Sequence, residues 1–376
     1  MRLFYCHFFA NELFSTVIYK ITNYTTKYIV NMKYVSLLLF FFISIQYTNG
    51  QLTKDVSLHR EEENFIFTNA PFESCHAATI EDLGNGELLA AWFGGKQEGS
   101  KDVSVWIARH KDGWTKPIKI VSGHDGKGDP IACWNPVLFK TRAGTLFLHY
   151  KVGPSPREWW AEVVVSHDNG LTWDEPAKLP QNMLGPIKNK PIQLKNGDIL
   201  YPSSTESMDE KTWAVHLEKS DSTGHNWTKI AVDNGDFDAI QPSILTHGNN
   251  ILQLLCRSRN NKIVTSWSFD NGTNWTPLEA TTLPNPNAGS DAVSLMDNRF
   301  LLVYNPLLAG KEWWEGRSVL KLAVSNDGKQ WNNINTLEEK KDGEYSYPAI
   351  IQSADGLIHI VYTYNRKCIK YIKFKL

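Results

Sequence analysis

The sequence predicts an all-β protein, a six-bladed β-propeller, on three observations. A turn element of the form Ser-x-Asp-x-Gly-x-x-Trp recurs along the chain, the copies are evenly spaced, and each follows a stretch that alternates like a strand. Full copies are "SHDNGLTW" from Ser166 and "SFDNGTNW" from Ser268. Weaker copies are "SDSTGHNW" from Ser220, with Ser222 at the Asp position, "SNDGKQW" from Ser325, one residue short, and "HKDGW" from His110, truncated. Their third positions fall at 112, 168, 222, 270 and 327, so the steps are 56, 54, 48 and 57 residues. A period near fifty marks a repeat architecture.

Each element of the repeat has a physical reason. "VSVWIARH", "WAEVVVSH", "WAVHLEKS", "KIVTSWSF" and "VLKLAVSN" precede the five copies and read as strands. In the turn that follows, Asp can accept backbone N–H bonds, Gly can take positive φ, and Trp can cover the next sheet. Between the copies lie "GELLAAWFG", "GTLFLHYKVG", "GDILYPSST", "NILQLLCRS", "RFLLVYNP" and "GLIHIVYTYN", each opened by turn chemistry. About four short strands per fifty-odd residues is one propeller blade. About 325 residues from Gln51 onward then make roughly six blades. The ring is expected to close where "CIKYIKFKL" at the C-terminus pairs with a strand near "NFIFT".

The 376 residues carry 39 Lys+Arg against 40 Asp+Glu, a net charge of -1, so no global field favours nucleic acid or an anionic membrane. Apolar residues make up 42%, and 14 Trp exceed what a core needs, so some rings are expected to line a site. Met32 to Gly50, "MKYVSLLLFFFISIQYTNG", has a basic start, an apolar centre and a small residue at its end, the pattern of a signal peptide. Residues 1–31 are therefore read as an over-extended start, 32–50 as the signal and 51–376 as one secreted or periplasmic domain. No membrane association is expected after cleavage, and a monomer is expected. The apolar run is shorter than a bilayer span, so an uncleaved anchor is the lesser reading. Cys75, Cys133, Cys256 and Cys368 lack metal-ligand spacing and read as free thiols; no metal or cofactor is expected.

The repeated element is the Asp box, and with six blades the chain resembles the sialidase (neuraminidase) superfamily from Gln51 to Leu376. The resemblance implies a glycan partner, a tyrosine nucleophile paired with a glutamate, an aspartate acid/base and three arginines on the sugar carboxylate. "GEYSYPAIIQSADGLIHIVY" puts Tyr347 at the nucleophile position, an exception to the two-carboxylate scheme of most glycosidases. "LLCRSRNNKIVTSWSFDNG" places Arg257, and "EGRSVLKLAVSNDG" Arg317, at two of the arginines. Two guanidiniums can fork onto a carboxylate as lysine cannot. The chain departs from the pattern at "FESCHAATI", where Cys75 and His76 replace the first arginine, and at "DFDAIQPS", where Ala239 stands for the glutamate with Asp238 the nearest carboxylate. "GGKQEGSKDVSVW" offers Glu98 or Asp102 as the acid.

Three further loops carry residues suited to sugars: "YKVGPSPREWW" with Arg157, Trp159 and Trp160, "LGPIKNKPIQL" with Lys188 and Lys190, and "KEWWEGR" with Trp313 and Trp314. The leading reading is a secreted glycoside hydrolase of the exo-α-sialidase class. In it Arg257 and Arg317 hold a terminal acidic sugar, Tyr347 attacks, Glu98 or Asp102 protonates the leaving oxygen, and Asp238 or His76 polarises the tyrosine. The alternatives are a glycan-binding propeller without chemistry, or a uronate-directed polysaccharide lyase with Tyr347 or His76 as base.

Overall fold

The computed structural model describes residues 58–376, and the segments read as an over-extended start and a signal peptide lie outside the described residues. Six antiparallel sheets follow one another along the chain. Blade 1 is built from strands Ser74–Gly84, Glu87–Gly95, Ser104–His110 and Ile118–His124, with a short fifth strand Pro130–Ile131. Blade 2 holds Cys133–Lys140, Leu146–Val152, Trp160–Ser166 and Ala177–Lys178; blade 3 holds Ile192–Gln193, Ile199–Glu206, Trp213–Ser220 and Thr228–Ala231. Blade 4 comprises Ala239–Thr246, Leu252–Ser258, Lys262–Ser268 and Glu279–Pro284; blade 5 comprises Asp291–Ser294, Phe300–Tyr304, Val319–Ser325 and Asn332–Glu339. Blade 6 takes Tyr345–Gln352, Ile358–Tyr364 and Cys368–Lys375 from the C-terminus and His59–Phe65 from the other end of the described chain. That last pairing closes the ring as the sequence predicts, running from His59 opposite Lys375 to Phe65 opposite Lys370.

The five Asp-box turns join the third and fourth strands of blades 1 to 5. In the box of blade 2, Asp168 Oδ1 accepts from the N–H groups of Leu171 and Thr172 at 3.0 and 2.9 Å, and Ser166 Oγ accepts from Gly170 N–H at 2.7 Å. The box tryptophans Trp114, Trp173, Trp227, Trp275 and Trp331 each pack into an interblade apolar cluster. Each covers the preceding blade of the ring rather than the next, Trp114 of blade 1 lying against Tyr371 of blade 6. Blade 3 brings a second correction. Ser222 does not fill the Asp position; Asp221 does, accepting from Thr223 and His225 N–H at 2.9 and 3.0 Å, so this box is shifted by one residue. Cys75, Cys133 and Cys256 are buried free thiols, and Cys368 is half-buried.

Polar bonds lace the inner strands together around the axis. Asp291 of blade 5 accepts from Lys190 Nζ at 2.8 Å, Ser243 Oγ at 3.0 Å and Ile350 N–H at 2.9 Å, joining it to the chain entering blade 3 and to blades 4 and 6. Burying such groups is tolerable only because every partner is supplied.

Candidate functional site

Because turns alternate between the two faces of an antiparallel blade, the Asp boxes share one face. The second-to-third-strand connections and those entering each inner strand share the other. All the chemistry-bearing residues below lie on the second face or on the inner strands beneath it.

Tyr347 is placed by a β-bulge. Ser346 pairs with Thr363 and Ala349 with Val361, so Tyr347 and Pro348 together oppose one residue. Tyr347 has φ 51°, a left-handed conformation for a bulky residue that also precedes proline. Blade 4 repeats the device: Gln241, φ 56°, precedes Pro242 at a bulge between Ile240 and Ser243. Two bulged inner strands thus bring these side chains together, and Gln241 Nε2 donates to Tyr347 Oη at 3.3 Å. Gly289 completes the floor. A Cβ there would lie 3.1 Å from Lys188 Cε and 3.2 Å from Tyr347 Cδ2.

Arg257 ends the second strand of blade 4 and is buried. Its Nη1 donates to Tyr347 Oη at 2.7 Å and to Gln241 Oε1 at 3.2 Å, while its Nε has no partner. Its guanidinium lies 5.2 Å from the Trp213 ring centre. Arg317, also buried, reaches the Asn287 carbonyl at 3.4 Å and Glu344 at 3.5 Å, and its Nε is likewise unpartnered. Burial, then the positive charge of Arg257, pulls Arg317 below its usual pKa, with Tyr347 and Glu344 opposing. Two buried guanidiniums with unmet donors form a site that favours an anion.

His76 lies against the phenol ring, centroids 4.0 Å apart and planes at 48°, with Nδ1 on Thr363 Oγ1 at 2.9 Å. Burial, reinforced by Arg366, Arg317, Arg257 and Lys188, holds its pKa well below 6.5, so the ring is neutral at pH 7. Lys188 is buried beneath Tyr347, donating to Asn189 Oδ1 at 2.7 Å, Ser290 O at 3.2 Å and Pro348 O at 2.5 Å. Burial pushes it down to about 7, yet three acceptors match the three N–H bonds of an ammonium.

The BNR repeat-like domain profile matches residues 86–360, more than half of the chain. The chain belongs to the BNR repeat-like family. Its propeller is similar to that of a protein of unknown function from Dyadobacter fermentans, at 17% identity and TM-score 0.70, over 85% of this chain and 100% of the other. It is similar to the NanB sialidase of Streptococcus pneumoniae at 12% identity and TM-score 0.64, over 83% of this chain and 70% of that one. An intramolecular trans-sialidase from Ruminococcus gnavus aligns at 14% identity and TM-score 0.64, over 84% and 97% of the two chains. Identities this low establish the sialidase-like fold alone. Comparison with curated proteins finds no match.

Within this BNR repeat-like propeller the predicted residues divide. Tyr347, His76, Arg257, Arg317 and Lys188 come together. Asp238 stands apart from Tyr347: its Oδ1 accepts from Trp213 N–H at 3.0 Å, and Arg259 lies 3.9 Å from its Oδ2. Ala239 is packed in an interblade core. Lys190 is a structural cation on Asp291 and the Ala292 carbonyl. Arg157 pairs with Glu210 at 3.0 Å, and Trp159 stacks edge-on against Trp134, both half-buried on the same face. Glu98 is held by the Arg366 guanidinium, whereas Asp102 is exposed on the same loop and accepts from Lys96 N–H at 2.8 Å.

Sequence reasoning missed Gln241, Arg366 and Glu344. Gln241 had a signal: "IQP" and "SYP" set the same residue-before-proline bulge 106 positions apart. Arg366, φ 55°, lies in the hairpin turn of blade 6 and had none, because only the closed ring brings that turn to blade 1. Its carbonyl accepts the Cys75 N–H at 2.9 Å, next to the position where the first family arginine is replaced. Its Nε donates to both Glu344 oxygens at 3.1 and 3.2 Å. Burial alone would lower Arg366, but Glu98 and Glu344 outweigh it and hold it above its usual value. Arg317 and Arg366 lie 5.2 and 5.0 Å from the ring centre of Trp313, on the loop entering Arg317.

Proposed function

We propose that the chain cleaves the glycosidic bond of a terminal acidic sugar in the manner of the exo-α-sialidases. The observation that carries this reading is the 2.7 Å hydrogen bond from Arg257 to the Tyr347 hydroxyl inside a buried cluster of cations. Arg257, Arg317 and Arg366 receive the sugar carboxylate, with Arg366 supplying the guanidinium that the first strand lacks. Tyr347 gives its phenolic proton to water and its Oη bonds to the anomeric carbon while the glycosidic bond breaks, and Asp102, exposed on its loop, protonates the departing oxygen. Water then releases the sugar with inverse proton traffic. Donors on Tyr347 Oη from Arg257 and Gln241 stabilise negative charge on that oxygen. His76, neutral, packs the ring in place.

Replacing Arg257 or Arg317 by Ala is expected to weaken binding of an acidic sugar by roughly 2–5 kcal/mol, the range for truncating one side of a buried charge pair. Reducing the ligand carboxylate should cost the unaltered protein as much and cost either variant little further. Independent, additive losses would mean that the arginines bind different groups.

One observation favours a second reading. The inner-strand residue of blade 4 that meets Tyr347 is an amide, Gln241, and among the described residues no carboxylate hydrogen-bonds to the hydroxyl. A propeller that binds acidic glycans without turnover, or one that eliminates across a uronate, fits that chemistry. Reducing sugar without new ultraviolet absorbance supports hydrolysis, an unsaturated product supports elimination, and retention without product supports recognition.

A further inference from the structure

The Asp-box face carries a feature that the funnel chemistry does not use. Blades 3 and 4 present Asn226-Trp227-Thr228 and Asn274-Trp275-Thr276, each with the box tryptophan as its central residue. Asn-x-Thr is the acceptor sequence for N-linked oligosaccharide in exported chains. We propose that Asn226 and Asn274 are N-glycosylated, so that this face is sugar-coated while the funnel face stays open. The proposal rests on the export reading of Met32 to Gly50.

The two positions share exposure and a side-chain bond to the box carboxylate, although Asn226 has a left-handed backbone, φ 55°, and Asn274 does not. Asn226 and Asn274 are exposed, and each occupies the residue just before the box tryptophan. Each amide Nδ2 donates one hydrogen to a box carboxylate, Asn226 to Asp221 Oδ2 at 2.7 Å and Asn274 to Asp270 Oδ2 at 2.6 Å. A primary amide has two hydrogens, so substitution of one leaves the other to keep the turn's bond. The tryptophan Nε1 groups point away, donating to Gly224 O at 2.7 Å and Gly272 O at 3.1 Å. At the equivalent place blade 2 has Thr172, whose hydroxyl donates to Asp168 Oδ2 at 2.5 Å, and blade 5 has Gln330; neither can accept the sugar. A third acceptor sequence, Asn271-Gly272-Thr273, overlaps the blade 4 turn, but Asn271 is half-buried where Asn226 and Asn274 are exposed.

The co-reactant is an oligosaccharide linked to a lipid diphosphate. Transfer forms a bond from Asn Nδ2 to the anomeric carbon and breaks that carbon's bond to the diphosphate, which leaves with the electron pair as one amide proton is released. No oxidation or reduction is involved.

The test is to express the full chain in a eukaryotic secretory host and collect it from the medium. Amidase removal of N-glycans, which leaves Asp in place of Asn, should mark the peptides containing Asn226 and Asn274 by mass. Asn226→Gln and Asn274→Gln should each remove one step in gel mobility, with glycan turnover and binding unchanged because both lie on the face opposite the funnel. Secreted protein with both asparagines unmodified, or with sugar on Asn271 in place of Asn274, overturns the assignment. A chain that stays in the cell with Met32 to Gly50 intact overturns it through the export reading, which N-terminal sequencing distinguishes.

Discussion

Tyr347 keeps a left-handed backbone that costs on the order of 1–3 kcal/mol and persists because the surrounding ring over-determines it. Ala77, Asn135 and Gln241 share that conformation on other inner strands, so the Arg257 contact, not the strain, argues that the hydroxyl has a chemical role. Tyr347→Phe keeps the ring against His76 and Lys188, so stability should change by at most about 0.5–1.5 kcal/mol, a typical hydrogen bond, while turnover collapses and glycan affinity survives. Thermal melting beside a turnover assay checks both. Gln241→Glu is expected to raise turnover, because a carboxylate beside the phenol can take up its proton; equal or lower turnover would show that loss of the phenol proton does not limit turnover. The candidate site was half legible in the sequence. Tyr347, Arg257 and Arg317 could be placed from local motifs, since the first two sit in strands and Arg317 lies two residues before Val319–Ser325, so their neighbours in sequence fix them. Arg366 and the Glu344 that holds it belong to a turn and a strand entry, and only ring closure brings them beside blade 1. Lys190 misled for the opposite reason: a basic loop residue looked free, but its partner Asp291 lies two blades away.

The Asp box is the element whose physics governs the blades. Asp168 accepts from Ser166, Leu171 and both groups of Thr172, and these bonds hold its pKa far below the usual aspartate value; Asp221, Asp270 and Asp327 are lowered by the same kind of contact, Asp327 against its partial burial. A carboxylate depressed in the folded state adds stability that is full above its unfolded pKa, about 3.9, and is lost as pH falls toward its folded value. The melting temperature is therefore expected to fall as the pH drops below about 4. Asp168→Asn should melt lower than the unaltered protein at pH 6, with the gap closing toward pH 2; a constant gap would show that the carboxylate charge is not what the turn uses. The consensus pattern made the box legible but not its register in blade 3. Ser-Asp-Ser-Thr-Gly offers two starting points, and the hydrogen bonds choose Asp221 over Ser222.

The whole ring depends on one pairing of distant segments. His59–Phe65 covers the edge of Cys368–Lys375, and just beyond it Ile66 and Phe67 are buried in the cluster between blades 6 and 1. Removing residues 58–67 should forfeit about 1.5–3 kcal/mol for each of those two side chains and bare a strand edge, giving a lower melting temperature and self-association on size exclusion. Unchanged melting and a monodisperse peak would show that the ring holds without its closing strand. Blade number and closure were readable from period and length because each blade repeats the same local rules. The proposed function requires a tyrosine able to take a sugar covalently. It is tested most directly by quenching turnover of an acidic-sugar glycoside in acid and weighing the peptide that contains Tyr347. A transient mass increase of one sugar on that peptide is expected, absent in Tyr347→Phe; turnover with no adduct at any time, or an unsaturated sugar as product, would contradict a tyrosine nucleophile.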